Sequence, residues 1–274
     1  MSNPEIAKNI KTGSFNTNYH DVGEGEPLMF IHGSGPGVSA FANWRLCMPV
    51  LAEKFRVIAP DMVGFGYTDR PAKISYDMDT WVQQTIDLMD ALGIEKTNLV
   101  GNSFGGGLAL ALCIKYPKRF NKIVLMGSMG VNFEITDGLD QAWGYTPSLE
   151  NMKSLLDTFA YSRVLVTDEL AKLRYDASIR PGFQESFGSM FPEPRQKSVV
   201  EMASKEDEIA KIDKDILIIH GRDDKVIPFE NSVRLHHLIP KSQLHSFGEC
   251  GHWSQIEHNE RFNTLLLNFF SENK

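Results

Sequence analysis

The chain has 274 residues, 42% of them hydrophobic, which suffices to bury one large core or a core carrying an insertion. Its 28 lysines and arginines stand against 35 aspartates and glutamates, and the resulting net charge of −7 opposes non-specific binding to nucleic acid or to an anionic membrane. A small-molecule partner is expected instead. The opening residues, Met1 to Lys8, contain no apolar signal region, and no later apolar run reaches the ~18 residues needed to span a bilayer, so a cytoplasmic location is expected. Cys47, Cys113 and Cys250 are an odd number at wide spacing, which fits neither a disulfide framework nor a zinc site; they read as reduced packing residues.

In chain order, 19–22 and 28–31 read as strands joined by the turn Gly23-Glu24-Gly25-Glu26-Pro27, and the second is apolar throughout, as in a strand buried on both faces. His32-Gly33-Ser34-Gly35-Pro36-Gly37 follows, too rich in glycine and proline for regular structure. A buried strand is expected at 56–61. Asp79 is placed at the N-cap of a helix through Trp81, Ile86, Leu88, Met89 and Leu92 that stops at Gly93. A strand at 97–100, an apolar helix opening at 106–112 and a strand at 122–126 continue the alternation. Strand, crossover and strand in succession imply an α/β fold, a mostly parallel, doubly wound sheet with helices on both faces.

From about 130 to 209 that rhythm breaks. Helical segments at 148–159 and 168–179 are separated by Pro147, Pro181, Pro192 and Pro194, and an insertion of this size is expected to cap a site. The expected division is a core of 1–130 and 209–274 with a helical lid at 131–208. The core resumes with a strand at 215–221, a helix at 231–238, a strand at 243–247 and a terminal helix at 260–270.

The motif that carries chemistry is Gly101-Asn102-Ser103-Phe104-Gly105, a G-x-S-x-G pentapeptide between a strand and a helix. A serine in that turn points its hydroxyl off the sheet, toward the first helical N–H groups. A hydroxyl needs a base in contact and a carboxylate to orient the base. His252, in Glu249-Cys250-Gly251-His252-Trp253 just after the last expected strand, is the candidate base, because ligands collect at the carboxyl ends of open α/β strands. Gly221-Arg222-Asp223-Asp224 follows the preceding strand and offers two candidate acids. His20, His236, His237, His245 and His258 are expected at strand edges or polar helix faces, and His32 and His220 in structural roles. The Phe104 N–H and an N–H from the early glycine loop, that of Ser34, are the expected oxyanion donors. There is no G-x-x-x-x-G-K-[ST], no dinucleotide fingerprint, no H-E-x-x-H and no paired C-x-x-C, so no metal or cofactor is expected.

In Gly33-Ser34-Gly35-Pro36-Gly37, Ala42-Asn43-Trp44-Arg45, Gly101-Asn102-Ser103-Phe104-Gly105-Gly106, Leu173-Arg174-Tyr175 and Gly251-His252-Trp253, the chain resembles the meta-cleavage product hydrolases of the α/β-hydrolase superfamily, over nearly its whole length. The family pattern puts the acid at the second position, which selects Asp224 over Asp223. The resemblance implies cleavage of the C5–C6 bond of a 2-hydroxy-6-oxo-2,4-dienoate. The dienol first becomes its keto tautomer, Ser103 deprotonated by His252 attacks the C6 carbonyl, and water releases the acyl group. Arg174, with the amides of Asn43 and Asn102, is expected to hold the carboxylate and enol oxygen, beside Gly33 and Gly35; Trp253 is expected to pack on the dienoate. From the residues alone, Arg174 reads more readily as a solvated helix-face charge, and Trp253 equally well as a core residue. Trp143, in the lid stretch Trp143-Gly144-Tyr145-Thr146-Pro147, is expected to face the C6 pocket and limit it to hydrogen or a small alkyl group; the alternative is that Trp143 is lid core and sets no limit on size. A homo-oligomer is compatible with this reading. Two rival readings are a general carboxylesterase with the same triad and a non-catalytic ligand-binding member of the fold.

Overall fold

The computed structural model describes residues 3–272. Among them, eight strands form one sheet: β1 (Lys8–Thr12), β2 (Phe15–Val22), β3 (Glu26–Ile31), β4 (Phe55–Pro60), β5 (Thr97–Asn102), β6 (Phe120–Met126), β7 (Ile216–Gly221) and β8 (Ser242–Phe247). Their order is β1-β2-β4-β3-β5-β6-β7-β8. The β1–β2 and β2–β4 pairs are antiparallel, and every pair from β4 to β8 is parallel. The turn after β2 therefore does not close a hairpin with β3; β4 lies between them. β1 escapes sequence reading because Lys-Asn-Ile-Lys-Thr is polar and mostly exposed, and only its pairing with β2 makes it a strand.

Strand alternation sorts the apolar residues into two cores. Leu28 and Phe30, Val57 and Ala59, Val124 and Met126, and Leu217 and Ile219 point to one face. Met29 and Ile31, Ile58, Ile123 and Leu125, and Ile216 and Ile218 point to the other. The first face is covered by α1 (Ala40–Trp44), α2 (Met48–Leu51) and the terminal helix α13 (Asn259–Ser271), which follows the short α12 (Ser254–Glu257). The second is covered by α3 (Met78–Ala91), α4 (Phe104–Lys115) and α11 (Phe229–Leu238). With both faces covered, the central strands read as continuous apolar runs. Asp77, not Asp79, caps α3: it has extended backbone and its carboxylate accepts from the Thr80 N–H at 2.8 Å, whereas Asp79 already lies inside the first turn.

Between β6 and β7 the described residues contain only helices and one 3-10 turn: α5 (Asp137–Trp143), α6 (Leu149–Phe159), α7 (Asp168–Ser178), α8 (Phe183–Met190), α9 (Gln196–Glu201) and α10 (Glu206–Ile209). Ser148 caps α6 and Thr167 caps α7 through their side-chain oxygens. Met152, Leu155, Leu156 and Phe159 recur at helical spacing and form the buried face of α6. No helix of the described residues is long and apolar enough to cross a membrane.

Candidate active site

At the end of β5 the chain turns through Ser103 at φ 54° and ψ −112°, and α4 starts at the next residue. This is a sparsely populated conformation for a residue with a side chain, held against a cost of about 1–3 kcal/mol by its surroundings. The Ser103 N–H donates to Met126 O at 2.8 Å, and its carbonyl accepts from Gly106, Gly107 and Met129. A Cβ on Gly101 would stand 2.2 Å from Gly105 O, and one on Gly105 would stand 2.5 Å from Ile31 O. Both outer glycines of the pentapeptide are thus demanded by the close approach of backbone to backbone.

His252 sits in the loop after β8, which also holds Glu249 at a positive φ of 53°. Its N–H donates to Phe159 O at 2.8 Å, tying the loop to the end of α6. Its Nδ1 lies 2.7 Å from Asp224 Oδ2. Asp224 follows β7, has a side chain with 0% exposure, and accepts the Val226 and Ile227 N–H groups on Oδ1 at 2.7 and 3.0 Å. Burial alone would raise the Asp224 pKa; the charge of His252 and hydrogen bonds from His220 and His252 outweigh it and hold the carboxyl well below the usual range. Asp223 does different work. Its carboxylate accepts from the Cys250 N–H at 3.4 Å and its N–H donates to Cys250 O at 2.9 Å, which shapes the histidine loop without touching the ring.

Ser103 and His252 both line a cavity of about 330 Å³. With Nδ1–H committed to Asp224, the Nε2 lone pair of His252 is left to take a proton from a hydroxyl in that cavity. The Phe104 N–H is the first of α4 and has no intrahelical acceptor, so it points ahead of the helix. Ser34, on the opposite wall, accepts from Trp143 Nε1 at its Oγ. Part of the cavity lining is polar. Arg174 on α7 is anchored by Gly37 O and has no carboxylate within ion-pair distance among the described residues; burial lowers its pKa, partly offset by the charge of Glu5. Asn43 accepts the Gly33 N–H on Oδ1 at 3.2 Å, while its buried Nδ2 has no hydrogen-bond partner among the described residues. Asn102 donates to Met126 O at 3.4 Å, and Trp253 packs on Phe159 with ring centroids 5.3 Å apart. Gly33, Gly35 and Arg45 complete this wall. The lining also includes the apolar side chains of Leu139, Ala142, Met152, Leu155, Leu156 and Val226. No group of three or more histidine, cysteine or acidic side chains is placed to hold a metal among the described residues.

A family model of the alpha/beta hydrolase fold matches residues 26–259. The chain is 57% identical to a 2-hydroxymuconate semialdehyde hydrolase of Pseudomonas sp. strain CF600, covering 99% of this chain and 96% of that protein. It is 56% identical to a 2-hydroxy-6-oxo-2,4-heptadienoate hydrolase of Pseudomonas putida F1, covering 98% of each. The crystal structure of the meta-cleavage product hydrolase CumD from Pseudomonas fluorescens IP01, an S103A mutant complexed with acetates, matches with a TM-score of 0.97 and 59% identity over 98% of each chain. The chain belongs to the meta-cleavage product hydrolases. In this hydrolase one sequence expectation is corrected by contacts that only the fold creates. Trp143 does not border the cavity: it is 2% exposed, stacks on Phe191 with ring centroids 4.4 Å apart, and donates Nε1–H to Ser34 Oγ at 3.0 Å. Leu139 and Ala142 of the same helix face the cavity instead. His220, expected in a structural role, reaches Asp224 Oδ2 at 3.2 Å. The three cysteines are free and buried, and burial raises the Cys250 thiol to about 12, so it carries no thiolate beside His252.

Proposed function

We propose that the protein hydrolyses the C5–C6 bond of 2-hydroxy-6-oxo-2,4-dienoates with Ser103 as nucleophile, His252 as base and Asp224 as the orienting acid. The observation that carries this reading is the His252–Asp224 contact of 2.7 Å behind a cavity lined by His252, Ser103 and an arginine with no carboxylate within ion-pair distance among the described residues. Arg174 and Asn43, with Asn102, would bind the carboxylate and the 2-oxygen, and Trp253 would cover the diene. Ketonisation gives the electrons of the breaking bond a carbonyl to enter. Ser103 attacks C6, the oxyanion takes the N–H groups of Phe104 and Ser34, and C5–C6 scission releases 2-hydroxypenta-2,4-dienoate. Water activated by His252 then frees the small carboxylic acid.

The helices of 131–208 act as the lid, and the aliphatic lining they contribute takes the C6 substituent. A substrate with hydrogen or methyl at C6 is favoured, in line with the names of the two curated relatives. The enzyme works in the cytoplasm on this small molecule, without nucleic acid or membrane partners. The test is turnover of 2-hydroxymuconate semialdehyde and its methyl ketone homologue against a p-nitrophenyl ester, with product identified by mass. A kcat/KM for the ester above that for both dienoates would make the protein a general esterase; binding without turnover of either would make it a receptor.

A further inference from the structure

His220 ends β7, is fully buried, and has no task in the mechanism above. Its Nε2 lies 3.2 Å from Asp224 Oδ2 and 3.1 Å from Ile227 O. Both neighbours are acceptors, so that nitrogen must carry the proton and donate to them. Its Nδ1 lies 2.6 Å from Ser232 Oγ, on α11, and Ser232 is itself fully buried. In the neutral ring Nδ1 has only a lone pair, so the Ser232 hydroxyl donates to it and selects the tautomer that offers Nε2–H to Asp224.

Asp224 then has four donors for its four lone-pair directions: Val226 and Ile227 N–H on Oδ1, His252 Nδ1–H and His220 Nε2–H on Oδ2. The two histidines share one oxygen. We propose that His220, held by Ser232, is a positioning residue for the Asp224–His252 pair: it fixes the plane of the carboxylate and draws off part of the negative charge that His252 would otherwise feel. The other charged or titratable groups near the pair are Asp223, with its partner Arg222, on the same loop, and Cys250 and Glu257, whose carboxylate accepts the Gly251 N–H, on the loop and short helix after β8. Among these groups His220 alone shares Asp224 Oδ2 with His252.

This inference rests on the Ser103–His252–Asp224 triad, and Ser103→Ala tests that reading separately, so the two can fail independently. The experiment compares His220→Leu, His220→Gln and Ser232→Ala with the parent on the methyl ketone dienoate, with kcat normalised to the serine that reacts with a fluorophosphonate. Losing a charge-assisted hydrogen bond should lower kcat in His220→Leu by about tenfold or more, with KM within about twofold. Asp224, less neutralised, should stabilise the imidazolium of His252, so the acid limb of kcat/KM should move to higher pH. His220→Gln, which keeps a donor, should recover most of both, and Ser232→Ala should show a smaller shift in the same direction. Normalised kcat and acid limb unchanged in His220→Leu would overturn the proposal. So would a loss with an unmoved limb that His220→Gln does not restore, the signature of packing alone. If His220→Leu does not fold, Ser232→Ala decides, and parent values of kcat and limb there would overturn it.

Discussion

The indole Nε1–H of Trp143 donates to Ser34 Oγ at 3.0 Å, joining the first helix of the insertion to the loop that carries a proposed oxyanion donor. Trp143 therefore acts on the site through Ser34 rather than by filling the cavity. Trp143→Phe keeps the stack on Phe191 and removes the hydrogen bond, and should lower kcat several-fold on dienoates and esters alike. The ratio of kcat/KM for the 6-methyl over the 6-phenyl dienoate should stay at the parent value. A ratio that collapses in Trp143→Phe would return Trp143 to the substrate pocket.

The two adjacent aspartates should behave very differently. Asp224→Asn removes the acceptor that holds His252 Nδ1–H and should cost on the order of 10⁴ in kcat, through the wrong tautomer and orientation of the ring. Asp223→Asn weakens a 3.4 Å contact to the Cys250 N–H and a 3.6 Å ion pair with the exposed Arg222, and a change of less than about tenfold is expected. Ser103→Ala should abolish turnover by several orders of magnitude while dienoate binding, read by the ligand's absorbance, persists. The assignment of the acid falls if Asp223→Asn is the more damaging of the pair.

Among the described residues Arg174 has no carboxylate within ion-pair distance, which leaves its charge to a substrate anion in the proposed reaction. Arg174→Ala should reduce kcat/KM for dienoates by about a hundredfold or more, because a charge-assisted pair in a partly desolvated pocket is lost. Hydrolysis of a neutral p-nitrophenyl ester should change little. Parallel losses on both substrates would instead assign Arg174 to anchoring α7 through Gly37 O.

His32 offers a pH test of stability. It is fully buried, its Nε2 accepts the Met62 N–H at 3.0 Å, and burial lowers its pKa to about 4, against a small opposing effect of Gly33 O. The folded pKa lies below the unfolded value of about 6.5, so as pH falls from 6.5 to 4 the unfolded chain gains a proton that the native chain refuses. Stability should be full above that window and fall through it by up to about 3 kcal/mol, levelling below pH 4 as far as this group is concerned. Urea unfolding as a function of pH measures it, and His32→Gln should flatten the slope in that window. Identical slopes in parent and variant would rule out His32 as its source.

What the amino-acid sequence determined by itself was local. Alternating strands and crossovers, the two glycines that let Ser103 turn, and a histidine loop after the last strand are each encoded within a few consecutive residues, where periodicity and backbone sterics act directly. The antiparallel edge was less legible, since β1 is polar and its strand state depends on pairing with β2, from Thr12 with Phe15 to Lys8 with Tyr19, which no hydrophobic alternation marks. Three decisions belonged to the tertiary structure alone: that β4 slips between β2 and β3, that Leu139 and Ala142 rather than Trp143 face the cavity, and that His220 and His252 converge on one oxygen of Asp224. Each depends on which distant surfaces meet when the two cores close on the sheet. A helix shows in its sequence that it has an apolar face, but only packing determines which residue of that face reaches the cavity and which is spent on Phe191 and Ser34.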